Sequence, residues 1–341
     1  MKLLVIRFSS IGDIVLTTPV VRCIKRQLPG VELHYLTKAA FREVLAANPY
    51  IDRVHYLEDD LGQTIRTLEQ EQYDYVIDLH HNLRTARVKR ALEARHFSFP
   101  KLNLQKWLLV NLKVNLMPDK SIVDRYFETV RELGVRNDGQ GLDYFIPEED
   151  RISNQDIPLG HWAGYVGCVI GGTYSTKQLP AEQWQRLFAL TPYPVILLGG
   201  PGDRELGEQI AAQDPVKIYN ACGKFRLNES AHLVERARVI VSNDTGLMHV
   251  AAAFKRPVIS LWGNTSPVMG MFPYYGFNNL SDREAPQSFI VEHKKLYCHP
   301  CSKIGYKRCP QRHFRCMREL DMEVVARTID AWWKDGGTVS P

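Results

Sequence analysis

Short apolar runs alternate with stretches of helical periodicity along the chain. Runs at 3–6, 31–36, 54–57 and 75–79 are interleaved with helical patterns near 19–28, 39–47, 61–71 and 83–95. That alternation predicts a parallel sheet with helices on its faces. Two further helices are predicted at 103–114 and 121–133. The stretch 147–162, PEEDRISNQDIPLGHW, is polar, proline-bearing and aperiodic, so it reads as a linker. The pattern then restarts, with strands at 165–170, 194–198, 216–219, 238–242 and 257–262 and helices near 181–190, 203–212, 228–236 and 246–254. The expected fold class is α/β, in two units spanning 1–150 and 163–320, followed by a terminal segment 321–341 with a last helix at 321–334.

The segment Val239 to Phe254, VIVSNDTGLMHVAAAF, combines a buried strand, a polar loop and a helix. Free backbone N–H groups at a helix start, with the positive end of its dipole, favour a phosphate, and Gly246 allows close approach. Asp244 beside a phosphate would repel it, so its better use is accepting hydrogen bonds from sugar hydroxyls. Thr245 and His249 share one helical face, and His249 is placed either on the diphosphate or in the packing. The other half carries a second loop at a strand end, Arg7 to Asp13 (RFSSIGD), before Pro19 opens a helix. Ligands of open α/β sheets bind at that edge, where Asp13 presents a carboxylate.

Five motifs occur in order: MKLLVIRFSSIGDIVLTTP at the start, VIDLHHNLRT at 76–85, GGTYSTKQLPAEQW at 171–184, LLGGPGDRE at 197–205 and SNDTGLMHVAAAF at 242–254. Together they resemble glycosyltransferase family 9, the ADP-heptose:lipopolysaccharide heptosyltransferases, from residue 1 to about 320. The resemblance implies a GT-B fold, two Rossmann-like domains facing across a cleft, and an inverting, metal-independent sugar transfer. It implies an acceptor-binding first domain, a nucleotide-sugar-binding second domain and a last helix that packs back on the first. Asp13 stands at the position of the general base in the family's SSxGD motif, and Lys177 at that of the phosphate-contacting lysine. Ser175 and Thr176 would add hydroxyl donors on the ADP-sugar side, beside Asp244, Thr245, Gly246 and His249. Ser9, Ser10, Gly12, Asp78, Asn82, Arg84, Arg87 and Arg125 are the acceptor-side candidates. Arg84, Arg87, Lys89 and Arg90 form a basic helix face suited to a phosphorylated, lipid-linked core oligosaccharide. The stretch Lys101 to Leu116, KLNLQKWLLVNLKVNL, mixes Trp107, leucines and lysines as an interfacial helix does; core packing is the first explanation of its leucines, and it is the preferred membrane contact if the acceptor is embedded in the inner leaflet.

Composition narrows the alternatives. With 43 basic and 38 acidic residues the net charge is only +5, too mild to argue for nucleic acid. The apolar run at the start is too short for a signal peptide, so a cytoplasmic monomer with reduced cysteines is expected. The dinucleotide fingerprint fails because Glu205 stands where the third glycine would follow Gly199, Gly200 and Gly202. No Asp-x-Asp occurs to hold a divalent ion, so no cofactor is expected to be required. Cys298, Cys301, Cys309 and Cys316 have spacings at which four thiolates hold a structural zinc, an assignment left open. A nucleotide-sugar epimerase of the same fold and a non-catalytic zinc-stabilised binding protein are the alternative functions.

Overall fold

The computed structural model describes residues 1–276, 280 and 287–335. Strands β1 (Lys2–Ile6), β2 (Glu32–Lys38), β3 (Arg53–Leu57), β4 (Tyr75–Asp78) and β5 (Arg95–Ser98) form one parallel sheet in the order β3-β2-β1-β4-β5. Strands β6 (Val166–Val169), β7 (Val195–Leu198), β8 (Ile218–Asn220), β9 (Val239–Asn243), β10 (Val258–Trp262) and β11 (Ser288–Glu292) form a second parallel sheet, ordered β11-β10-β9-β6-β7-β8. Helices cover both faces of each sheet, which is why the central strands are apolar without alternation. Leu3 to Ile6 and Val239 to Val241 are wholly buried.

In each sheet the strand order reverses beside the unit's first strand, between β1 and β4 and between β6 and β9. Connections leave that point in opposite directions and open a crevice at the carboxyl ends of the strands. These are two Rossmann-like units in the GT-B arrangement. The loops after β1, β4, β6 and β9 therefore carry the chemistry.

The units meet where two helices start. Helix Ile11–Val15 follows β1, helix Gly246–Ala253 follows β9, and one apolar cluster containing Ile14, Val15, Met248 and Val250 runs through both. A Cβ on Gly12 would lie 2.6 Å from His249 Cδ2, and one on Gly246 would lie 2.9 Å from the Ile11 Cβ. Only glycine on both sides permits this approach. Tyr144 adds a tie, its hydroxyl donating to Asn228 Oδ1 at 2.7 Å.

The structure departs from the sequence reading in several places. Strands β5 and β11 fall at sheet edges where no run was expected, and the helix expected over 83–95 ends at Ala91. The segment expected as a helix over 103–114 is α-helical over Asn103–Trp107 and a π-helix over Leu108–Leu112. The last helix, Met322–Lys334, packs on the second unit and not on the first. Its buried stripe Met322, Val325 and Ile329 shares a cluster with Trp184, Leu187 and Phe188. The Trp333 ring stacks on Tyr193 at 4.2 Å, and Tyr193 donates to Asp330 Oδ1 at 2.6 Å. The segment's end, 336–341, lies outside the described residues.

The glycine contact yields a prediction. Gly12→Ala should cost about 1–3 kcal/mol by overpacking against the buried His249 ring, read as a lowered melting temperature. Adding His249→Ala should recover part of that loss by removing the ring. A Gly12→Ala protein as stable as its parent would mean that the two helix starts do not touch in solution.

Candidate active site

Asp13 sits in the first turn of helix Ile11–Val15, within a capping box. Ser10 donates to its Oδ2 twice, from the backbone N–H at 3.1 Å and from the hydroxyl at 2.7 Å. Arg7 NH2 lies 2.5 Å from its Oδ1. Arg7 is itself nearly buried and is fixed by donating to the Leu79 carbonyl, the Tyr126 hydroxyl and the Ser9 carbonyl. Burial pushes the Asp13 carboxyl upward, but the Arg7 guanidinium and the Ser10 donors outweigh it and hold the group below the usual carboxylate range. Asp13 is therefore ionised at neutral pH and able to accept a proton. Its side chain keeps 21% exposure, so it remains accessible from the cleft.

Across the glycine contact lie the groups of the second unit. Thr245 precedes helix Gly246–Ala253 in an extended conformation, and its buried hydroxyl has no partner among the described residues. His249 is buried, its Nδ1 is likewise unpaired, and both Asp13 and Asp244 act on it electrostatically. Burial pushes its imidazole down to about 4, so it is neutral near pH 7. His249 thus packs on Gly12 and keeps an unpaired Nδ1. Lys177, in the loop after β6, places its Nζ 2.6 Å from Asp244 Oδ2. Thr265 donates to the same oxygen at 2.9 Å. Asp244 is therefore the counter-ion of Lys177 in this structure.

Several candidates have other work. Thr176 is buried; its hydroxyl donates to the Tyr306 carbonyl at 2.8 Å and accepts from the Tyr306 N–H at 2.8 Å, so it fastens the Cys-rich segment and is not free for a donor. Ser175 is exposed, and lines a cleft with Arg308 and Arg312. Asp78 is fully buried: the His80 and His81 N–H groups donate to Oδ1, and Lys89 Nζ lies 2.9 Å from Oδ2. Asp78 is thus a brace beneath the cleft, and Lys89 belongs to it and not to the exposed basic face. Asn82 caps helix Leu83–Ala91 by accepting from Thr85 N–H at 3.0 Å. Gly12 is covered by His249, and the Ser10 hydroxyl is spent on Asp13. Arg84 and Arg87 are exposed on that helix, with the Arg84 guanidinium 5.8 Å from the Phe8 ring centre.

Arg125 is 1% exposed and spans the two units, its NH2 donating to the Met269 carbonyl at 2.7 Å. Its Nε and NH1 are buried without a partner among the described residues. Lys106 is near it, and burial, with the Arg125 and Lys303 charges, pushes that ammonium down to about 8. Lys101 is lowered by burial and by Arg7. Cations crowded in this way attract an anion strongly.

Two residues escaped the sequence reading. Asn264, just past β10, is 2% exposed and has neither side-chain polar atom paired. It precedes Thr265, the Asp244 partner. Its signal was the polar GNTS following a fully buried strand, the pattern that also marks SNDTG. His80, neutral because burial pushes it down to about 4, has an unpaired buried Nδ1 behind Phe8.

All seven cysteines are free thiols. Cys298 Sγ lies 3.6 Å from His313 Nε2, and burial with neighbouring cysteines pushes Cys301 up to about 11 and Cys316 up to about 12. Their segment leans on the first unit, because Lys113 Nζ donates to the Cys298 and Pro300 carbonyls at 2.9 and 2.7 Å. Among the described residues no helix is long and apolar enough to cross a membrane.

The Arg7–Asp13 pair sets a pH dependence. Asp13 with Arg7 beside it stays ionised until the pH falls through its lowered pKa, and activity that needs the carboxylate is lost below that point. In Arg7→Gln the effect of burial is no longer opposed by the guanidinium, so the acid limb of kcat/KM should move to higher pH. Circular dichroism checks that the variant folds, and an unmoved limb would detach the limb from Asp13.

Comparison with known proteins fits this geometry. Residues 61–276 match glycosyltransferase family 9 (heptosyltransferase). Lipopolysaccharide heptosyltransferase 1 of Pseudomonas aeruginosa is 28% identical over 349 residues, covering 95% of this chain and 92% of its own. Lipooligosaccharide heptosyltransferase 2 of Haemophilus influenzae is 27% identical over 299 residues, covering 78% and 84%. Among solved structures, the family 9 glycosyltransferase of Veillonella parvula superposes with a TM-score of 0.77 at 23% identity, covering 98% of this chain and 97% of that one. The Escherichia coli ADP-heptose lipopolysaccharide heptosyltransferase II gives 0.71 at 20%, covering 99% and 100%. The chain belongs to glycosyltransferase family 9 and is a glycosyltransferase.

Proposed function

We propose that the protein transfers heptose from ADP-heptose to an inner-core lipopolysaccharide acceptor, with inversion at the anomeric carbon and without a metal ion. The observation that carries this reading is the meeting of an ionised Asp13 from one unit with the open helix start at Thr245 and Gly246 from the other. The names of the relatives support the choice of sugar and acceptor. An acceptor hydroxyl attacks the anomeric carbon as Asp13 takes its proton. The bond from that carbon to the diphosphate oxygen breaks on the opposite face, and ADP leaves with the electron pair. Lys177 and the N–H groups around Gly246 stabilise the departing charge. Thr245 and Asn264 offer polar contacts to the diphosphate, and Asp244 accepts from hydroxyls of the donor sugar.

Incubation of the purified protein with ADP-heptose and a heptose-free acceptor tests the reading. Glycosylated acceptor of inverted configuration plus ADP is the expected product, and EDTA should leave the rate unchanged. Asp13→Asn should retain ADP binding while turnover falls by about 100-fold or more, whereas Lys177→Ala should weaken ADP binding. An altered sugar nucleotide formed without acceptor would replace this reading with an epimerase.

On the acceptor side, the unpaired Arg125 atoms with Lys101 and Lys106 suit the anionic groups of a phosphorylated core, while Arg84 and Arg87 line the approach. Beyond them Leu104, Trp107, Leu112, Val114 and Leu116 are all exposed on one lysine-bearing segment. That combination suits peripheral contact with the cytoplasmic face of the inner membrane. Trp107→Ser with Leu112→Ser should reduce co-sedimentation with anionic vesicles and raise KM for a lipid-linked acceptor only. Arg125→Gln should raise KM for soluble and lipid-linked acceptors alike. Unchanged sedimentation of the double variant would remove the segment from membrane contact.

A further inference from the structure

Near the amino ends of the first sheet, at the edge away from the cleft, two imidazoles converge on one point. His34 on β2 and His55 on β3 place Nδ1 and Nε2 3.1 Å apart. The Tyr73 hydroxyl lies 2.9 Å from the first and 3.1 Å from the second. Glu71 completes the group, with carboxylate oxygens 3.9 Å from His34 Nδ1 and 4.0 Å from His55 Nε2. Among the described residues this is the trio of histidine, cysteine or acidic side chains whose ligand atoms all lie within 4.8 Å of one another. The four clustered cysteines do not meet that condition.

Three features make the trio more than a contact of polar residues. Zinc bound tetrahedrally at its usual distances to nitrogen holds two imidazole nitrogens roughly 3.3 Å apart, and the observed separation is close to that. The His34 ring is also set for ligation. Its Nε2 lies 2.9 Å from Glu32 Oε1, and because an ionised carboxylate only accepts, Nε2 carries the proton and Nδ1 presents the lone pair. A carboxylate behind a histidine is the outer-shell arrangement that orients metal ligands. The site is also built and enclosed: His34 is 1% exposed, and Glu71 is fixed by Lys2 Nζ at 2.8 Å and by Arg53. Lys2 and Arg53 balance the charges of Glu32 and Glu71.

We propose that His34, His55 and Glu71, with Tyr73 as a fourth donor, bind a divalent first-row transition ion, for which zinc is the fitting probe. Imidazole donors select such ions over calcium and magnesium. The ion clamps β2, β3 and the turn entering β4 from the side opposite the chemistry, so its effect is on stability and not on sugar transfer.

The test uses the full-length protein stripped by a chelator and titrated with zinc at micromolar free concentrations. A Cys298→Ser/Cys301→Ser variant removes thiolate binding from the reading. That variant should bind one equivalent of zinc with a raised melting temperature, and its cobalt(II) form should lack the intense thiolate charge-transfer band. Adding His55→Gln should weaken zinc binding tenfold or more and abolish the thermal shift. Should that protein not fold, Glu71→Gln in the same background carries the same expectation. The proposal falls if the cysteine variant binds no zinc, or if zinc stabilises it no more than the variant lacking His55 or the Glu71 carboxylate. The two imidazoles and the Tyr73 hydroxyl would then be joined by hydrogen bonds alone, with Glu71 held by Lys2 and Arg53.

Discussion

The close approach of two helix starts, at Gly12 and Gly246, is the constraint on which the cleft depends. Each helix begins at the carboxyl edge of its own sheet, beside the point where strand order reverses, so bringing the starts together also brings two crevices together. Any side chain at either glycine would hold the edges apart. The imidazole between them must be uncharged to be buried there, and its low pKa meets that requirement. Asp13 and Thr245, each one residue from a glycine, inherit their proximity from this contact.

Charge is distributed across the cleft according to what can be held in place. Three carboxylates at the site each have a cation on them: Asp13 has Arg7, with Ser10 as donor, Asp78 has Lys89, and Asp244 has Lys177, with Thr265 as donor. Arg125 instead has two buried donor atoms left over, and Lys106 is crowded by like charge. Carboxylates already paired, beside an arginine with donors to spare, suit an anion. The unpaired polar atoms of Thr245, His249 and Asn264 lie in the other unit, so each side of the cleft retains its own unmet demand.

Much of this organisation was legible along the chain, for a physical reason. A strand covered on both faces must be apolar throughout, so β1, β9 and β10 announced themselves, and the polar loops after them marked the crevice. Edge strands carry no such requirement, and RHFS in β5 shows no apolar run; the helix expected over 83–95 reaches only its first residue. Side-chain roles were harder wherever the deciding partner lies far along the sequence. Lys89 looked like one more exposed cation until Asp78 was found beneath it. Thr176 looked like a ligand hydroxyl until Tyr306 claimed it. Nothing in the last helix's own sequence says which unit its apolar stripe will cover. His34, His55 and Glu71 are separated by up to 37 positions, from 34 to 71, and only strand register brings them together.

On the proposed function, the ion pair between Lys177 and Asp244 gives the donor pocket an entry condition. A lysine already resting on a carboxylate has little attraction for a neutral sugar or a singly charged ligand, because moving to either would exchange one negative partner for an equal or weaker one. A diphosphate carries more charge than the carboxylate it displaces, so it can draw the ammonium away. Selection among small molecules in the cell would then begin with a count of negative charges, before the shape of any sugar is read.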